Sequence, residues 1–493
     1  MRDSELPQGW LKANLSDVIQ PRGEKVSPVG CDHMQFLGMD HVEAQTTKII
    51  GSVLASSMKS SVARFYSGDV LYGRLRPYLN KVAQPSFDGL ASAEFIVFPD
   101  TNLVHSKLLK FRLNAADFVS FASHLNEGDR PRVSFEQIGD FEILLPPPQE
   151  QHRIVAKIEE LFSELDKGIE NLKTARAQLK VYRQALLIHA FEGKLTAPWR
   201  AEHQDKLEAA DALLKRIQQE RAQRYQQQLA EWEANGGSKP KAPKPLPPLS
   251  AAELAELPEL PEEWGWVKLG DLASKITDGE HFKPPVKTEG VYFLSAKDVK
   301  HDGVSFDDPL FIDGETAEKA RSRCDPERND ILIVSRGATV GRMCIVNTDE
   351  RFCLLGSVIL VKVTAAVQSR YFLSALKSPL VNKKIVGVSG ATAQQAIYLR
   401  DIQHVPVPVC SSLEQSKIVE ELEAKLSEVD QLELTITTSL QQAEALRQSI
   451  LKKAFSGQLV PQDPHDEPAS ALLDRIRAER GQADKLKRGR KAA

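Results

Sequence analysis

Glu150-Gln151-His152-Arg153-Ile154-Val155 recurs 264 residues later as Glu414-Gln415-Ser416-Lys417-Ile418-Val419. The same offset separates Ala190-Phe191-Glu192-Gly193-Lys194-Leu195 from Ala454-Phe455-Ser456-Gly457-Gln458-Leu459. Two segments of about 40 residues therefore align without a gap. Self-similarity at a fixed offset is typical of a chain built from repeated structural units.

The repeat continues on both sides of these segments. Leu6-Pro7 and Trp10 match Leu260-Pro261 and Trp264 at an offset of 254, and residues 210–217 match residues 469–476. The repeating unit is thus a globular module, a long helix and a short helical segment. We expect a pseudo-two-fold internal repeat in which the two long helices run antiparallel.

Both long segments carry apolar residues at the three-and-four spacing of a coiled coil. At about 1.5 Å per residue, a helix of this length spans roughly 60 Å and could act as a rigid spacer. The alternative is a helical bundle or an oligomerisation element. The positions that we assign to the coiled coil or to a partner interface are Ile154, Ile158, Leu161, Leu165, Leu172, Leu179, Ile418, Leu422, Val429, Leu432, Ile436 and Leu446.

The globular modules alternate short apolar runs with turn residues, which predicts an α+β fold. Strands are expected at 70–72, 95–98, 331–334 and 358–361, and helices at 106–121 and 369–386. We place the first module at 1–148, the central long helix at 149–203, a helical segment with a proline-rich linker at 204–259, the second module at 260–412, the C-terminal long helix at 413–460, and a helical segment with a basic tail at 461–493.

Basic and small residues follow one predicted strand in each module, at 73–81 and at 335–342. Arginine can bond guanine edges at two points, and lysine or backbone amides can hold phosphates. The alternative is an ordinary surface loop with salt bridges. The residues that we assign to DNA contact are Arg74, Arg76, Tyr78, Lys81, Arg336, Thr339 and Arg342.

Composition limits the function. The chain has 493 residues and a net charge of −3, so it lacks the basic excess usual for a nucleic-acid binder. A DNA-binding function therefore requires either that the basic residues lie on one face or that a partner subunit supplies much of the phosphate contact. No apolar run reaches the length of a membrane span, and no signal peptide is recognised.

Five scattered cysteines predict free thiols in a reducing cytoplasm, and no metal site. Phosphate-binding loop, hydrolase and amino-methyltransferase motifs are absent, so we expect a non-catalytic chain.

The ordered set of motifs resembles the specificity (S) subunit of type I restriction-modification systems. The resemblance rests on the Leu-Pro-x-x-Trp starts, the helix entry Pro147-Pro148-Gln149-Glu150-Gln151, and the exits at 190–195 and 454–459, and it covers essentially the whole chain. In the second copy, Ser412-Leu413 replaces the prolines before Glu414.

The resemblance implies two target recognition domains that each read half of an asymmetric, interrupted DNA site. The coiled coil would fix the gap and dock two methyltransferase (M) subunits, which hold S-adenosylmethionine. Two restriction (R) subunits would use ATP and Mg, so this chain itself would bind no cofactor.

Two other hypotheses stay open from sequence. One is a specificity subunit whose partner is a fused methyltransferase-nuclease. The neighbouring genes would separate it from a type I subunit. The other is a coiled-coil scaffold with duplicated adaptor modules and no role on DNA, which salt-dependent DNA binding of the assembled complex would exclude. A stand-alone enzyme is disfavoured by the missing catalytic motifs.

Overall fold

The computed structural model describes residues 6–491 except 59, 102, 237–238, 241, 243–244 and 388–395. The chain divides into two compact units. The first comprises Met1–Thr174 and Ile436–Ala493, and the second comprises Ala175–Thr435. Strands and helices alternate in both units, and this mixed content confirms the α+β prediction.

The strands are short and lie mostly in the modules. In chain order they are β1 (Leu11–Asn14), β2 (Lys25–Val26), β3 (Gln35–Leu37), β4 (Val53–Leu54), β5 (Val62–Phe65), β6 (Val70–Gly73), β7 (Val82–Ala83), β8 (Gly89–Ala91), β9 (Phe95–Phe98), β10 (Glu142–Leu145), β11 (Gly265–Lys268), β12 (Ala273–Asp278), β13 (Val291–Leu294), β14 (Leu310–Ile312), β15 (Ile331–Val334), β16 (Met343–Ile345), β17 (Phe352–Leu354), β18 (Val358–Val363) and β19 (Pro406–Val409).

The helices range from single turns to 44 residues. In chain order they are α1 (Leu15–Val18), α2 (Ser106–Asn114), α3 (Ala116–Ser123), α4 (Phe135–Gly139), α5 (Pro148–Phe191), α6 (Ala197–Glu202), α7 (Ala210–Asn235), α8 (Ala251–Ala255), α9 (Leu269–Leu272), α10 (Gly314–Arg323), α11 (Ser369–Lys377), α12 (Pro379–Gly387), α13 (Leu399–Ile402), α14 (Ser412–Phe455) and α15 (Ala469–Lys491).

The first unit holds a five-stranded sheet in the order β2-β5-β8-β3-β4 and a three-stranded sheet in the order β7-β6-β9. The second unit holds a four-stranded sheet, β12-β18-β15-β16, and a three-stranded sheet, β14-β13-β17. In each unit the strand that enters the module pairs antiparallel with the strand that leaves it, β1 with β10 and β11 with β19. The β6 and β15 strands are buried along their whole length, as their continuous apolar sequences require.

The predicted strands are confirmed as β6, β9, β15 and β18, but each predicted module helix is divided in two. The first divides between α2 and α3, where Gln448 Oε1 accepts a hydrogen bond from the Ala116 amide at 2.9 Å. The second divides at Ser378, directly before Pro379, because the residue before a proline is disfavoured in helical conformation.

The long helices α5 and α14 are each 44 residues long and stand at the offset of 264 found in the sequence. Each ends before a glycine with positive φ, Gly193 at 72° and Gly457 at 71°. Left-handed glycine is a common helix terminator, because it lets the next amides bond back to the last turn. The Lys194 amide, for example, donates to the His189 carbonyl at 2.9 Å.

Segments of the two long helices contact each other within each unit. In the first unit, Arg447 of α14 pairs with Asp166 of α5, and Arg153 pairs with Asp466, which follows α14, at 2.5 Å. Residue numbers therefore fall along α14 as they rise along α5, which makes these segments antiparallel. Apolar residues of both helices, including Ile158 and Leu451, share one buried cluster.

The second unit repeats this arrangement. Arg183 of α5 pairs with Asp430 of α14, and Arg200, beyond the end of α5, pairs with Glu414 at the start of α14 at 2.7 Å. The α5 and α14 segments of this unit are therefore antiparallel as well, and Leu186 lies in the same apolar cluster as Leu422.

The Leu-Pro-x-x-Trp and Glu-Gln motifs form one structural device in each unit. The indole Nε1 of Trp10 donates to Glu150 at 2.9 Å, and that of Trp264 donates to Glu414 at 2.9 Å. All four side chains are buried. Two motifs that are 140 or more residues apart in sequence therefore meet and attach each module to the start of a long helix.

The neighbouring glutamine attaches a second element of the module. Gln151 Oε1 accepts from the His105 amide, which precedes α2, at 3.0 Å. Gln415 Oε1 accepts from the Gln368 amide, which precedes α11, at 2.9 Å. Each long helix thus holds both the entry strand and the first long helix of its module.

The helical segment predicted from residue 204 is observed as α7, and the second copy is observed as α15, which continues through the basic residues to Lys491. The predicted proline-rich linker falls partly on Lys241, Pro243 and Lys244, which lie outside the described residues. Among the residues that the structure describes, no helix is long and apolar enough to cross a membrane.

Candidate nucleic-acid interface

The two basic loops have the same backbone frame. The first, residues 74–80, is closed by a hydrogen bond from the Gly73 amide to the Lys81 carbonyl at 2.8 Å. The second, residues 335–341, is closed by the bond from the Val334 amide to the Arg342 carbonyl, also at 2.8 Å. The two loops therefore correspond at a constant offset of 261.

The first residue of each loop is held from both sides. In the first unit, the Arg74 amide donates to the Glu94 carbonyl at 2.8 Å, and the Arg74 carbonyl accepts from the Val133 amide at 3.0 Å. Ser335 makes the same pair of bonds in the second unit, with Ser357 at 2.9 Å and Ile397 at 2.9 Å. Each loop therefore projects from a fixed base.

Two positions within each loop have a left-handed backbone. Arg76 (φ 52°) corresponds to Gly337 (φ 98°), and Asn80 (φ 47°) corresponds to Gly341 (φ 81°). For Arg76 this conformation costs roughly 1–2 kcal/mol, which the surrounding hydrogen bonds must offset. The buried Asn80 side chain contributes, since its Nδ2 donates to the Asn114 carbonyl at 3.1 Å.

Arg74 lines a cleft of about 330 Å³ together with Glu24, Lys25 and Glu136. A hydrogen bond with Ser134 lowers the pKa of Glu136, and the positive charge of Arg74 adds to this shift. The Nε atom of Arg74 is buried without a hydrogen-bond partner among the described residues, and so is Nε of Arg76. Both arginine residues are partly exposed.

Lys81 and Arg342 have an internal contact that the sequence did not predict. Lys81 Nζ donates to the Met39 carbonyl at 2.5 Å, and Arg342 Nη1 donates to the Val299 carbonyl at 3.3 Å. Met39 lies two residues after β3, and Val299 lies five residues after β13. Both cations therefore fasten the end of their loop to the neighbouring segment, with further donors left on each group.

The remaining assigned residues lie nearer the solvent. Arg336 is exposed, Tyr78 is about half exposed at 47%, and Thr339 is partly buried. Arg336 forms an isolated β-bridge with Ala396. The structure thus brings Arg74, Arg76, Tyr78 and Lys81 onto one loop, and Arg336, Thr339 and Arg342 onto its counterpart.

Sequence reasoning missed Arg132, which forms a β-bridge with Leu75 of the first loop. Its guanidinium donates to both carboxylate oxygens of Glu94, at 3.1 and 2.7 Å. The basic run Arg130-Pro131-Arg132 was a possible signal, but no local pattern indicates that it returns to residue 75.

The assigned helix positions differ in burial. Ile154, Ile158, Ile418, Leu422, Val429 and Ile436 are buried, and Leu161, Leu165, Leu172 and Leu179 are partly buried. Leu432 and Leu446 are each 51% exposed, so about half of each residue is open to solvent. In the second unit, Val181, Tyr182 and Leu434 are also exposed on the paired helix segments.

The cysteine prediction is confirmed to the extent that Cys31, Cys324, Cys344, Cys353 and Cys410 are all free thiols. Burial raises the pKa of Cys324 and of Cys344 to about 12 each, so these thiols are protonated at neutral pH. No cluster of three or more His, Cys, Asp or Glu side chains suited to a metal ion was found in the described part of the chain.

A family model described as "Type I restriction modification DNA specificity domain" matches residues 82–174 and 261–442. The specificity subunit of the type I restriction enzyme EcoDI of Escherichia coli is 30% identical over 44% of this chain and 50% of that subunit. The EcoBI specificity subunit of Escherichia coli is 25% identical over 73% of this chain and 69% of that subunit. The StySPI specificity subunit of Salmonella potsdam is 33% identical over 45% of this chain and 52% of that subunit. The chain thus spans about half the length of the EcoDI and StySPI subunits.

Solved structures share the fold. A chain from the study of complex assembly and conformational transition of the type I R-M system aligns with a TM-score of 0.67 and 21% identity, over 92% of this chain and 100% of that chain. The HsdS subunit from Thermoanaerobacter tengcongensis aligns with a TM-score of 0.50 and 21% identity, over 93% of this chain and 99% of that chain. The resemblance found in the sequence is confirmed, because the family model covers more than half of the residues, and the chain belongs to the family of the type I restriction modification DNA specificity domain.

Proposed function

We propose that this chain is the specificity subunit of a type I restriction-modification system and reads a bipartite, asymmetric DNA site. The observation that carries the proposal is the pair of corresponding loops, 74–80 and 335–341, which have one backbone frame and different side chains. A shared frame would bring each module to the DNA in the same way. Unlike side chains would then read unlike half-sites.

In this proposal, α5 and α14 pair as an antiparallel coiled coil related by a pseudo-two-fold axis. The ion pairs Asp166–Arg447 and Arg183–Asp430 support it. Asp430 stands 264 positions after Asp166, and Arg447 stands 264 positions after Arg183, so the two pairs are equivalent in the repeat. A straight helix of 44 residues spans about 65 Å. The coiled coil would thereby set the spacing between half-sites, as dimer geometry does in other DNA-binding proteins.

The same helices would dock two methyltransferase (M) subunits. Val181, Tyr182, Leu432 and Leu434 support this surface, since the paired segments of the second unit expose them while burying other apolar positions. The M subunits would bind S-adenosylmethionine and supply phosphate contacts that a chain of net charge −3 lacks. Two restriction (R) subunits would bring ATP and Mg, and this chain would be non-catalytic.

Within the loops, we assign base or phosphate contact to Arg336 and Tyr78, which are exposed, and to Thr339, Arg74 and Arg76, which are partly exposed. Lys81 and Arg342 would act mainly by holding the loop ends, with their remaining donors directed to phosphates.

The test is a genome-wide map of methyladenine in a methylation-free host that expresses this chain with its methyltransferase partner. We expect one two-part motif with a fixed gap, and no such motif when this chain is omitted. A soluble complex that leaves no methylation at any two-part motif would contradict the proposal and favour a coiled-coil scaffold.

A further inference from the structure

Each module exposes an apolar side chain on a segment between two strands. Val29 lies between β2 and β3, and Phe282 lies between β12 and β13. Both are 85% exposed. Single exposed apolar residues are common on proteins, so exposure alone decides nothing. What matters is where these two lie.

Phe282 follows a firmly held piece of backbone. The Glu280 amide donates to the Leu354 carbonyl at 2.8 Å, and the Glu280 carbonyl accepts from the Gly356 amide at 2.7 Å. The chain is therefore fixed two residues before Phe282. The ring projects from a rigid support, which lowers the entropy lost when such a side chain binds a partner.

The support of Phe282 is shared with the second basic loop. Gly356 bonds to the segment of Phe282, while the next residue, Ser357, accepts the amide of Ser335 at 2.9 Å. Arg336 follows Ser335 directly. The backbone segments that carry Phe282 and Arg336 are therefore bonded to consecutive residues of one turn.

The first unit has a different arrangement. Val29 stands at the tip of a tight turn in which the Cys31 amide donates to the Pro28 carbonyl at 2.9 Å. Residues 23–25, which precede this turn, line the 330 Å³ cleft together with Arg74. The described hydrogen bonds therefore connect the segment of Phe282, but not Val29, to the turn that holds a basic loop.

Charges of both signs flank Phe282. Lys283 and Lys287 follow it on the same exposed segment, ahead of Glu289, and Glu280 precedes it. The two lysines are the groups that can hold phosphates. We propose that Phe282 is an apolar wedge that inserts at a base step of the DNA beside its half-site. Proteins that deform DNA insert such side chains between base pairs, and flanking lysines hold the phosphates. This inference rests on the proposed function.

The test uses the full chain in complex with its methyltransferase partner and a duplex that carries the mapped motif. Phe282→Ala should weaken binding about tenfold, the range of one lost aromatic–base contact. The slope of log affinity against log salt should stay unchanged, because no phosphate contact is lost. Lys283→Met should instead reduce that slope by about one.

Two further variants separate a wedge from a general effect on folding. Phe282→Trp should keep the affinity, and its fluorescence should be quenched when DNA binds. Leu254→Ala, which removes another exposed apolar side chain of the same unit, should bind as the unmodified complex does.

The possible failures are distinguishable. An unmodified complex without site-specific binding would contradict the proposed function itself. Specific binding by the unmodified complex, with equal affinity for Phe282→Ala and no quenching in Phe282→Trp, would overturn the wedge and leave the proposed function standing.

Discussion

Gly193 and Gly457 illustrate how single residues fix the repeat. A Cβ at Gly457 would stand 2.5 Å from Cγ of Pro7, and one at Gly193 would stand 2.4 Å from Cγ of Pro261. The proline of each Leu-Pro-x-x-Trp start therefore packs on the glycine that ends a long helix. The sequence presented these residues as two separate motifs, and only tertiary structure reveals that they are in contact.

We expect Gly457→Ala to destabilise the first unit by about 1–3 kcal/mol, because it adds left-handed strain and a contact shorter than van der Waals distance. Gly168→Ala is the matched control. Gly168 lies inside α5 with open space around its Cα, so alanine should stabilise by about 0.5–1 kcal/mol. Urea unfolding of both variants measures the two signs, and equal effects would contradict the packing described above.

At the scale of elements, the sequence predicted those strands and helices whose position depends on the burial of apolar residues. The strands β6, β9, β15 and β18 and the two long helices follow from apolar runs and periodicity. Periodicity in apolar residues could not indicate that Arg447 is buried between the helices. Its ion pair with Asp166 and the ring of Phe162, 4.4 Å from its guanidinium, compensate for that burial. The sequence also did not predict that Lys81 anchors its own loop. The acceptor of its hydrogen bond is a backbone carbonyl 42 residues away, which no local pattern indicates.

Asp166 links three elements of the first unit, since it pairs with Arg447 of α14 and with Lys48 of the module at 3.0 Å. Asp166→Asn should therefore destabilise the chain by about 1–3 kcal/mol. Asp430→Asn is the control from the other copy. Its carboxylate is 64% exposed, and an exposed ion pair contributes only about 0–1 kcal/mol.

The effect of Asp166→Asn should depend on pH. Burial by itself raises the pKa of Asp166, but Lys48 and Arg447 outweigh it and lower the pKa below the ordinary value. A carboxylate with a lowered pKa stabilises the fold above the unfolded value of about 3.9 and loses that contribution as the pH falls through its folded pKa. The difference in unfolding free energy between the unmodified chain and the variant should be constant near neutrality and shrink below about pH 4. A difference that grows on acidification would contradict this assignment.

At the scale of the whole molecule, the two units have separate apolar cores around their sheets. One contains Tyr72 and Phe118, and the other contains Ile333 and Tyr371. The base of each basic loop is held by residues of its own unit, through Glu94 and Val133 or through Ser357 and Ile397. Sequence reasoning located both loops from the repeat, but it could not assign their side chains to bases, because that depends on the geometry of the bound DNA.

This division predicts that the two half-sites can be changed independently. Arg336→Ala should weaken or relax recognition in one half of the methylated motif, at a cost of about 1–3 kcal/mol if the guanidinium reads a base. Arg74→Ala should do the same in the other half, and neither should alter the gap, which would depend on α5 and α14. Methyladenine maps of each variant with the same partner subunit measure both halves at once. If either substitution changed both halves, or if both left the motif and its occupancy unchanged, the assignment of one loop to one half-site would be wrong.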